Sequence, residues 1–429
     1  MRYLLALLIF FFTTVDMFGW SLSLAPGLSV KNALLYLIML TLASRYVVRG
    51  GFRLEVPKVY FWYGLLIAYA TLTCLIASTI IQYQSYDLLL SVIALKGNLI
   101  DGAIIFTLYL YGTRTYRDAE FLLKCALLAV GVANAIAIGN VAGLFQIGAT
   151  PVGNEGNITS RVFGAFGHAN ETAALIVYLL PAYMAATLSA GGIVRVLCAF
   201  AGIASAALLV LTGSRSGVVA FVLAGVFGSL LCRNLISWRR ATGIAVTLVV
   251  AGVAVLALVS IKFGDVLTQR MLELIVNPGH SGEDRTAIWI PLIDMMTASP
   301  VTLFTGFGWN VYSIMGFLYA PHNTYLQMWF ELGIIGVVSY VMMLSQLTLT
   351  ARRAAASTSG TPQAYLIAYV YGIVALSIAL FAGQLYSPLP YVWIYHGLSM
   401  RMAVLALQSA KPASASRVRK RRQKTLAVS

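Results

Sequence analysis

The sequence predicts an all-α integral membrane protein of about 12 transmembrane helices, with both termini cytoplasmic and one large external loop containing short helices. Three observations carry that reading. Of 429 residues, 60% are hydrophobic and only 10% charged, whereas a soluble domain carries about 25% charged residues. The mean hydropathy is +0.85. Apolar runs long enough to cross a hydrocarbon core, which takes about 20 helical residues, recur along the chain and leave no room for a sizeable soluble domain.

The runs place spans at 3–23, 31–48, 59–81, 91–112, 120–139, 170–190, 196–213, 216–232, 243–262, 324–349, 363–385 and 389–409. The first follows Met1-Arg2 but has no small-residue cleavage site, so it reads as a helix rather than a removed signal. The membrane domain therefore covers 1–410. It includes the external loop 263–323 between the ninth and tenth spans, and a basic cytoplasmic tail occupies 411–429.

Charge gives the orientation. Arg45, Arg49, Arg53 and Lys58 lie in one connection, Arg114 and Arg117 in another, and Arg195, Arg233, Arg239, Arg240, Arg352 and Arg353 in later ones. All fall on the side of the basic tail, Arg417 to Lys424, which the positive-inside rule makes cytoplasmic. Attraction to anionic membrane lipids accounts for most of the net charge of +15, and no nucleic-acid partner is expected. Cys74, Cys125, Cys198 and Cys232 lie within or at the ends of spans, a setting that suits neither disulfides nor thiolate metal sites. With no Asp-x-Asp pair and no His/Cys cluster, no metal or other cofactor is expected.

Against that pattern, Arg161, Arg215, Arg270 and Arg285 fall on the outer side. A guanidinium is always protonated and its planar fork suits phosphate oxygens; the alternative is a headgroup contact or an ion pair with Glu155, Glu283 or Asp284. Arg161 begins a segment with Gly164, Gly167, His168 and Asn170, where Asn170 is placed to cap the next helix or bond a ligand. Arg215 sits in the turn Gly213-Ser214-Arg215-Ser216-Gly217, where a helix N-terminus would add its positive dipole end. The long loop carries Arg285, Trp289, Pro300 and the turn Gly306-Phe307-Gly308. It also carries the rings Trp309, Tyr312, Phe317 and Tyr319, suited to an interfacial cap or to sugar stacking.

His322-Asn323 then opens the tenth span, and an imidazole there is a candidate proton acceptor near neutral pH. His168 is the alternative base, His280 reads as a loop residue, and His396 as a group bonded inside the bundle. Asp101, near Lys96, and Glu331 are acids at membrane depth, for which internal ion pairing is the cheaper account.

His322-Asn323, nine residues, then Gly333-Ile334-Ile335-Gly336 resembles the signature of bacterial O-antigen ligases of the WaaL type, within the O-antigen ligase and polymerase superfamily. The resemblance extends to Asp284-Arg285 with Trp289, to Gly306-Phe307-Gly308, to the Gly213–Gly217 turn, and to Arg161 with Gly164 and Asn170. It covers roughly 155 to 340. It implies a GT-C-like glycosyltransferase of the bacterial inner membrane, taking a glycan from an undecaprenyl pyrophosphate-linked donor to a lipid A core acceptor at the periplasmic face.

On that reading Arg215 and Arg285 hold the pyrophosphate, His322 takes the proton of the acceptor hydroxyl, and the anomeric carbon inverts without a metal. Arg161, Asn170, Asn323 and Tyr325 contact substrate. Gly306 and Gly308 are structural, and Gly333 and Gly336 let the tenth span pack closely on a neighbour. The alternatives are an O-antigen or exopolysaccharide polymerase, a protein O-oligosaccharyltransferase and, in a different class, a polysaccharide transporter or flippase. Reporter fusions within 263–323 should give periplasmic activity, such as alkaline phosphatase; fusions active only in the cytoplasm would remove the basis for a lipid-linked donor.

Overall fold

The computed structural model describes residues 1–20, 22–48, 54–147, 152–153, 161–164, 166, 168–237, 257, 260–261, 264, 285–317, 321–383 and 389–426. The expected ninth span lies almost wholly outside the described residues. So do Arg270, His280, Glu283 and Asp284 of the long loop, together with Glu155, Gly167 and Tyr319.

The chain is built from helices α1 (Arg2–Phe18), α2 (Val30–Val48), α3 (Pro57–Ile81), α4 (Leu88–Gly112), α5 (Tyr116–Val141), α6 (Ala169–Ser189), α7 (Gly192–Leu211) and α8 (Arg215–Cys232). After the long loop begins, α9 (Arg285–Thr297), α10 (Pro300–Thr305), α11 (Thr324–Ala356), α12 (Thr361–Ala379) and α13 (Pro390–Leu426) follow. Two small hairpins pair β1 (Ser23–Ala25) with β2 (Leu28–Ser29) and β3 (Val152–Gly153) with β4 (Arg161–Val162). Among the described residues, α3 to α8, α11 and α12 make eight helices long and apolar enough to cross a membrane. The first, second and twelfth expected spans fold as α1, α2 and α13, of which α1 has only 17 residues and α2 carries Lys31 and Arg45. The helix α13 runs on from the twelfth expected span to Leu426, through most of the residues of the expected tail.

Connections expected on one side of the membrane come together at one end of the bundle. Arg2 pairs with Asp118 at 3.2 Å, Arg401 pairs with Glu55 at 2.7 Å and donates to the Arg114 carbonyl, and Arg352 donates to the Leu231 carbonyl. At the other end the Tyr86 hydroxyl donates to the Trp309 carbonyl at 2.7 Å, joining the α3–α4 connection to the long loop.

Close approach of backbones holds the bundle, as expected where lipid removes the hydrophobic drive between helices. A Cβ on Gly372 of α12 would lie 2.3 Å from the Tyr178 carbonyl oxygen of α6. Buried polar groups are partnered across helices: His396 Nδ1 lies 2.8 Å from the Tyr178 hydroxyl and 2.6 Å from that of Tyr369, so this histidine bonds inside the bundle. Asp101 pairs with Lys96 at 2.9 Å and also accepts from Asn32 and Tyr36.

The tenth span departs from the expected continuous helix. At Gly333 the backbone turns to φ 61°, ψ −166°, a region essentially reserved for glycine. The break removes the i+4 donors for the carbonyls just before it. The Phe307 N–H donates to the Phe330 carbonyl and the Gly308 N–H to that of Glu331, both at 2.8 Å. A Cβ on Gly333 would lie 2.1 Å from the Phe304 oxygen, and one on Gly306 would lie 2.5 Å from the Gly333 nitrogen. Gly333 therefore packs on the 304–308 backbone rather than on a neighbouring span. Gly336 makes room for the Leu332 side chain of its own helix, which a Cβ would meet at 2.3 Å. The Gly333 contacts correct the expected packing of that residue on a neighbouring span.

Glu331, just before the break, is buried and has no cationic partner among the described residues. Gln327 donates to its Oε1 at 3.3 Å, while its Oε2 has no hydrogen-bond partner among the described residues. An amide thus stands where an ion pair was expected.

Gly333→Ala should destabilise the protein by on the order of 3 kcal/mol, combining glycine-only backbone with a steric overlap. Gly64→Ala, where a Cβ meets nothing within 4 Å, should be neutral. Retention of monodisperse protein after graded heating in detergent checks both.

Candidate functional site

The local order around His322 comes from its neighbours. The preceding carbonyl, on Pro321, accepts from Trp289 Nε1 of α9 at 2.8 Å. The following residue, Asn323, caps α11 by accepting from the Leu326 N–H at 3.0 Å, as an Asn N-cap commonly does. Thr324 then binds the end of α12: its N–H donates to the Leu380 carbonyl at 2.9 Å and its hydroxyl to the Gly383 carbonyl at 3.0 Å. Fixed on both sides, His322 adopts φ 46°, left-handed backbone that costs a non-glycine residue about 1–2 kcal/mol. Its ring is half-buried.

His168 faces it. The two imidazole centroids lie 6.1 Å apart at 61°, and His168 stacks on Phe163 at 5.3 Å. The chain returns here because Gly164 takes φ 70° and folds the loop onto the first turn of α6, where the Thr172 hydroxyl donates to the Phe163 carbonyl. The α6 N-cap is His168 itself. Asn170 is therefore inside the first turn and does not cap the helix, contrary to one of its two expected roles.

Asn170 instead joins two helix starts. Its Oδ1 accepts from Ser214 Oγ at 3.0 Å, while Ser214 caps α8 by accepting from the Gly217 N–H at 3.3 Å. Arg215, the first residue of α8, is exposed beside this cap. The positive end of the α8 dipole and the guanidinium thus share one location, which favours an anion.

Arg285 is the first residue of α9 and is half-buried. Trp289 lies one turn later on the same face, so the Trp289–Pro321 bond brings the start of α9 beside His322. Arg161 lies in β4, paired with Gly153; its side chain is outside the described residues. Tyr325 points elsewhere: its hydroxyl donates to the Ser377 carbonyl at 2.8 Å and its ring packs on Phe381 at 4.5 Å. Its phenolic proton is used to hold α11 against α12, whereas the sequence reading made it a substrate contact.

One end of the bundle therefore gathers His168, His322, Asn170, Ser214, the start of α8 with Arg215 and the start of α9 with Arg285. Such a set can accept a proton and hold an anion. Two of its features were missed in the sequence. Ser214 was legible as a helix cap, since serine precedes an apolar run, but its bond to Asn170 was not. The Trp289 bond to Pro321 spans 32 residues and left no sequence signal.

Residues 200–341 match the model of a family described as O-antigen ligase. No curated protein matches the chain. The matched segment, about a third of the chain, includes Arg215, Arg285, the Gly306–Gly308 turn, His322 and the break at Gly333. It supports the O-antigen ligase and polymerase superfamily and, at a coarse level, a glycosyltransferase-like enzyme; it does not separate ligase from polymerase. His168, Asn170 and the first six helices lie before it.

Ser214→Ala should cost about 1 kcal/mol through the lost cap and release Asn170, with Ser214→Thr retaining most of the stability. Thermal midpoints of the detergent-solubilised variants measure the difference.

Proposed function

We propose that this protein is an O-antigen ligase, which transfers a glycan from undecaprenyl pyrophosphate to a sugar hydroxyl of lipid A core at the periplasmic face of a bacterial inner membrane. The observation that carries the reading is His322. The residues on either side of it are tied to α9 and to the end of α12, and it stands beside a second imidazole at the end of the bundle where the starts of α8 and α9 bring Arg215 and Arg285.

The chemistry follows from these positions. The acceptor hydroxyl gives its proton to the His322 imidazole as its oxygen attacks the anomeric carbon. The bond from that carbon to the phosphate oxygen breaks on the opposite face, and its electron pair leaves with undecaprenyl pyrophosphate, so the configuration inverts. Arg215, Arg285 and the positive end of α8 stabilise the growing negative charge. Guanidinium groups supply the charge that a divalent metal supplies in other transferases, and the reaction is metal-independent. Asn170, held by Ser214, and Arg161 position the phosphate or the first sugar. Asn323 keeps the cap that orients His322, and Tyr325 keeps α11 on α12.

Purified protein given undecaprenyl pyrophosphate glycan and lipid A core should yield glycan-capped core, with an undiminished rate in a metal chelator. A longer lipid-linked chain formed without core would instead mark a polymerase. His322→Ala should slow transfer by about 10²–10⁴-fold, and Arg285→Ala or Arg215→Ala by about 10²–10³-fold. Full activity of His322→Ala with loss in His168→Ala would move the base to His168. Full activity in both would overturn the mechanism.

A further inference from the structure

A cavity of about 590 Å³ opens among α1, the β1–β2 hairpin, α2 and α4, in the part of the chain that precedes the family match. Its volume lies within the roughly 300–1,000 Å³ of ligand pockets. Its polar lining includes Asp16, Lys31, Asn32, Lys96 and Asp101 beside Ser23 and Ser29, and Trp20 lines it as well.

The charges are arranged in two pairs. Lys31 Nζ lies 2.8 Å from Asp16 Oδ1, and Lys96 Nζ lies 2.9 Å from Asp101 Oδ2. Both lysine side chains remain about a quarter exposed, at 27% and 24%, so neither pair is sealed from the cavity. Four charges in an apolar bundle are costly to desolvate, and packing alone is served as well by apolar side chains of similar volume. Trp20 stacks on Phe18 with centroids 4.9 Å apart and is half exposed, which leaves aromatic surface uncovered.

We propose that this cavity is a binding site for a neutral saccharide. Two lysines and two aspartates cancel, so the cavity has no net attraction for a pyrophosphate or a lipid phosphate. It instead sets donors on Lys31, Lys96 and Asn32 beside acceptors on Asp16 and Asp101. These groups bond one another, yet each ammonium keeps further N–H donors and each carboxylate further lone pairs, and a sugar hydroxyl, which both donates and accepts, can use both; the Trp20 ring offers an apolar face to a sugar ring.

Position gives the site its use. Phe166 and Pro390 line the cavity, and Phe166 is two residues from His168. A glycan seated here lies against the loop that carries His168 to His322. That the saccharide is part of a transferred or accepting glycan rests on the transfer reading above; its neutral chemistry rests on the cavity alone.

Gly97 lines the cavity, and a Cβ there meets nothing within 4 Å, so Gly97→Leu extends into open space. Saturation-transfer NMR on the purified full-length protein uses a panel of neutral di- and trisaccharides of hexoses and N-acetylhexosamines, with glycerol 3-phosphate and inorganic phosphate as charged comparators. The expected result is saturation transfer to at least one neutral saccharide, equal in wild type and His322→Ala. Its affinity should fall about tenfold or more in Gly97→Leu. Asn32→Ala, which leaves both lysine–aspartate pairs in place, should weaken it too and serves if Gly97→Leu does not fold. Absence of signal from every saccharide, signal indifferent to both cavity variants, or cavity-dependent binding of the phosphates in place of the sugars would each overturn the proposal. Because His322→Ala tests transfer and the cavity variants test binding, failure of one reading is distinguishable from failure of the other.

Discussion

The structure depends on one constraint: backbone polar groups inside a bilayer need partners within the protein. At Gly333 the helix that begins beside His322 breaks, and the carbonyls of Phe330 and Glu331 lose their helical donors. The N–H groups of Phe307 and Gly308 replace them at 2.8 Å. An unsatisfied group in hydrocarbon costs several kcal/mol, so these bonds fix the end of the long loop to α11. Gly306 and Gly333 are glycines because each backbone occupies the space of the other's Cβ.

That attachment positions the described residues on either side of it in turn. Trp309 follows Gly308 into the interior, where its ring N–H donates to the Ser91 carbonyl at 3.2 Å and its own carbonyl accepts from Tyr86. On the other side, α9 and α10 lie over the start of α11, with Trp329 Nε1 donating to the Leu303 carbonyl and Trp289 to that of Pro321. The left-handed backbone of His322 persists because these neighbours over-determine it. A candidate base held in this way has little freedom to leave the arginine-bearing helix starts.

Charge inside the bundle follows the same rule of local satisfaction. Lys96 with Asp101, Lys31 with Asp16 and Arg401 with Glu55 are paired, while Glu331 is bonded by Gln327 at one oxygen only. The pairs from the end of α1, the start of α2 and the middle of α4 line the cavity. The pair at Glu55 ties α13 to the connection between α2 and α3 at the basic end.

The sequence by itself determined the class and the places of the apolar helices among the described residues, because hydropathy is summed locally along the chain. It also placed His322-Asn323 at a helix start, since an asparagine cap acts on the residues that follow it. The break at Gly333 was not legible: a glycine in an apolar run reads equally as helix packing, and only contact with the 304–308 backbone earlier in the chain makes it a break. The meeting of His168 with His322, the bond from Ser214 to Asn170 and the use of the Tyr325 hydroxyl on Ser377 were decided by tertiary structure alone. Each joins segments far apart in the chain, and no local pattern encodes which distant carbonyl or ring a side chain will meet.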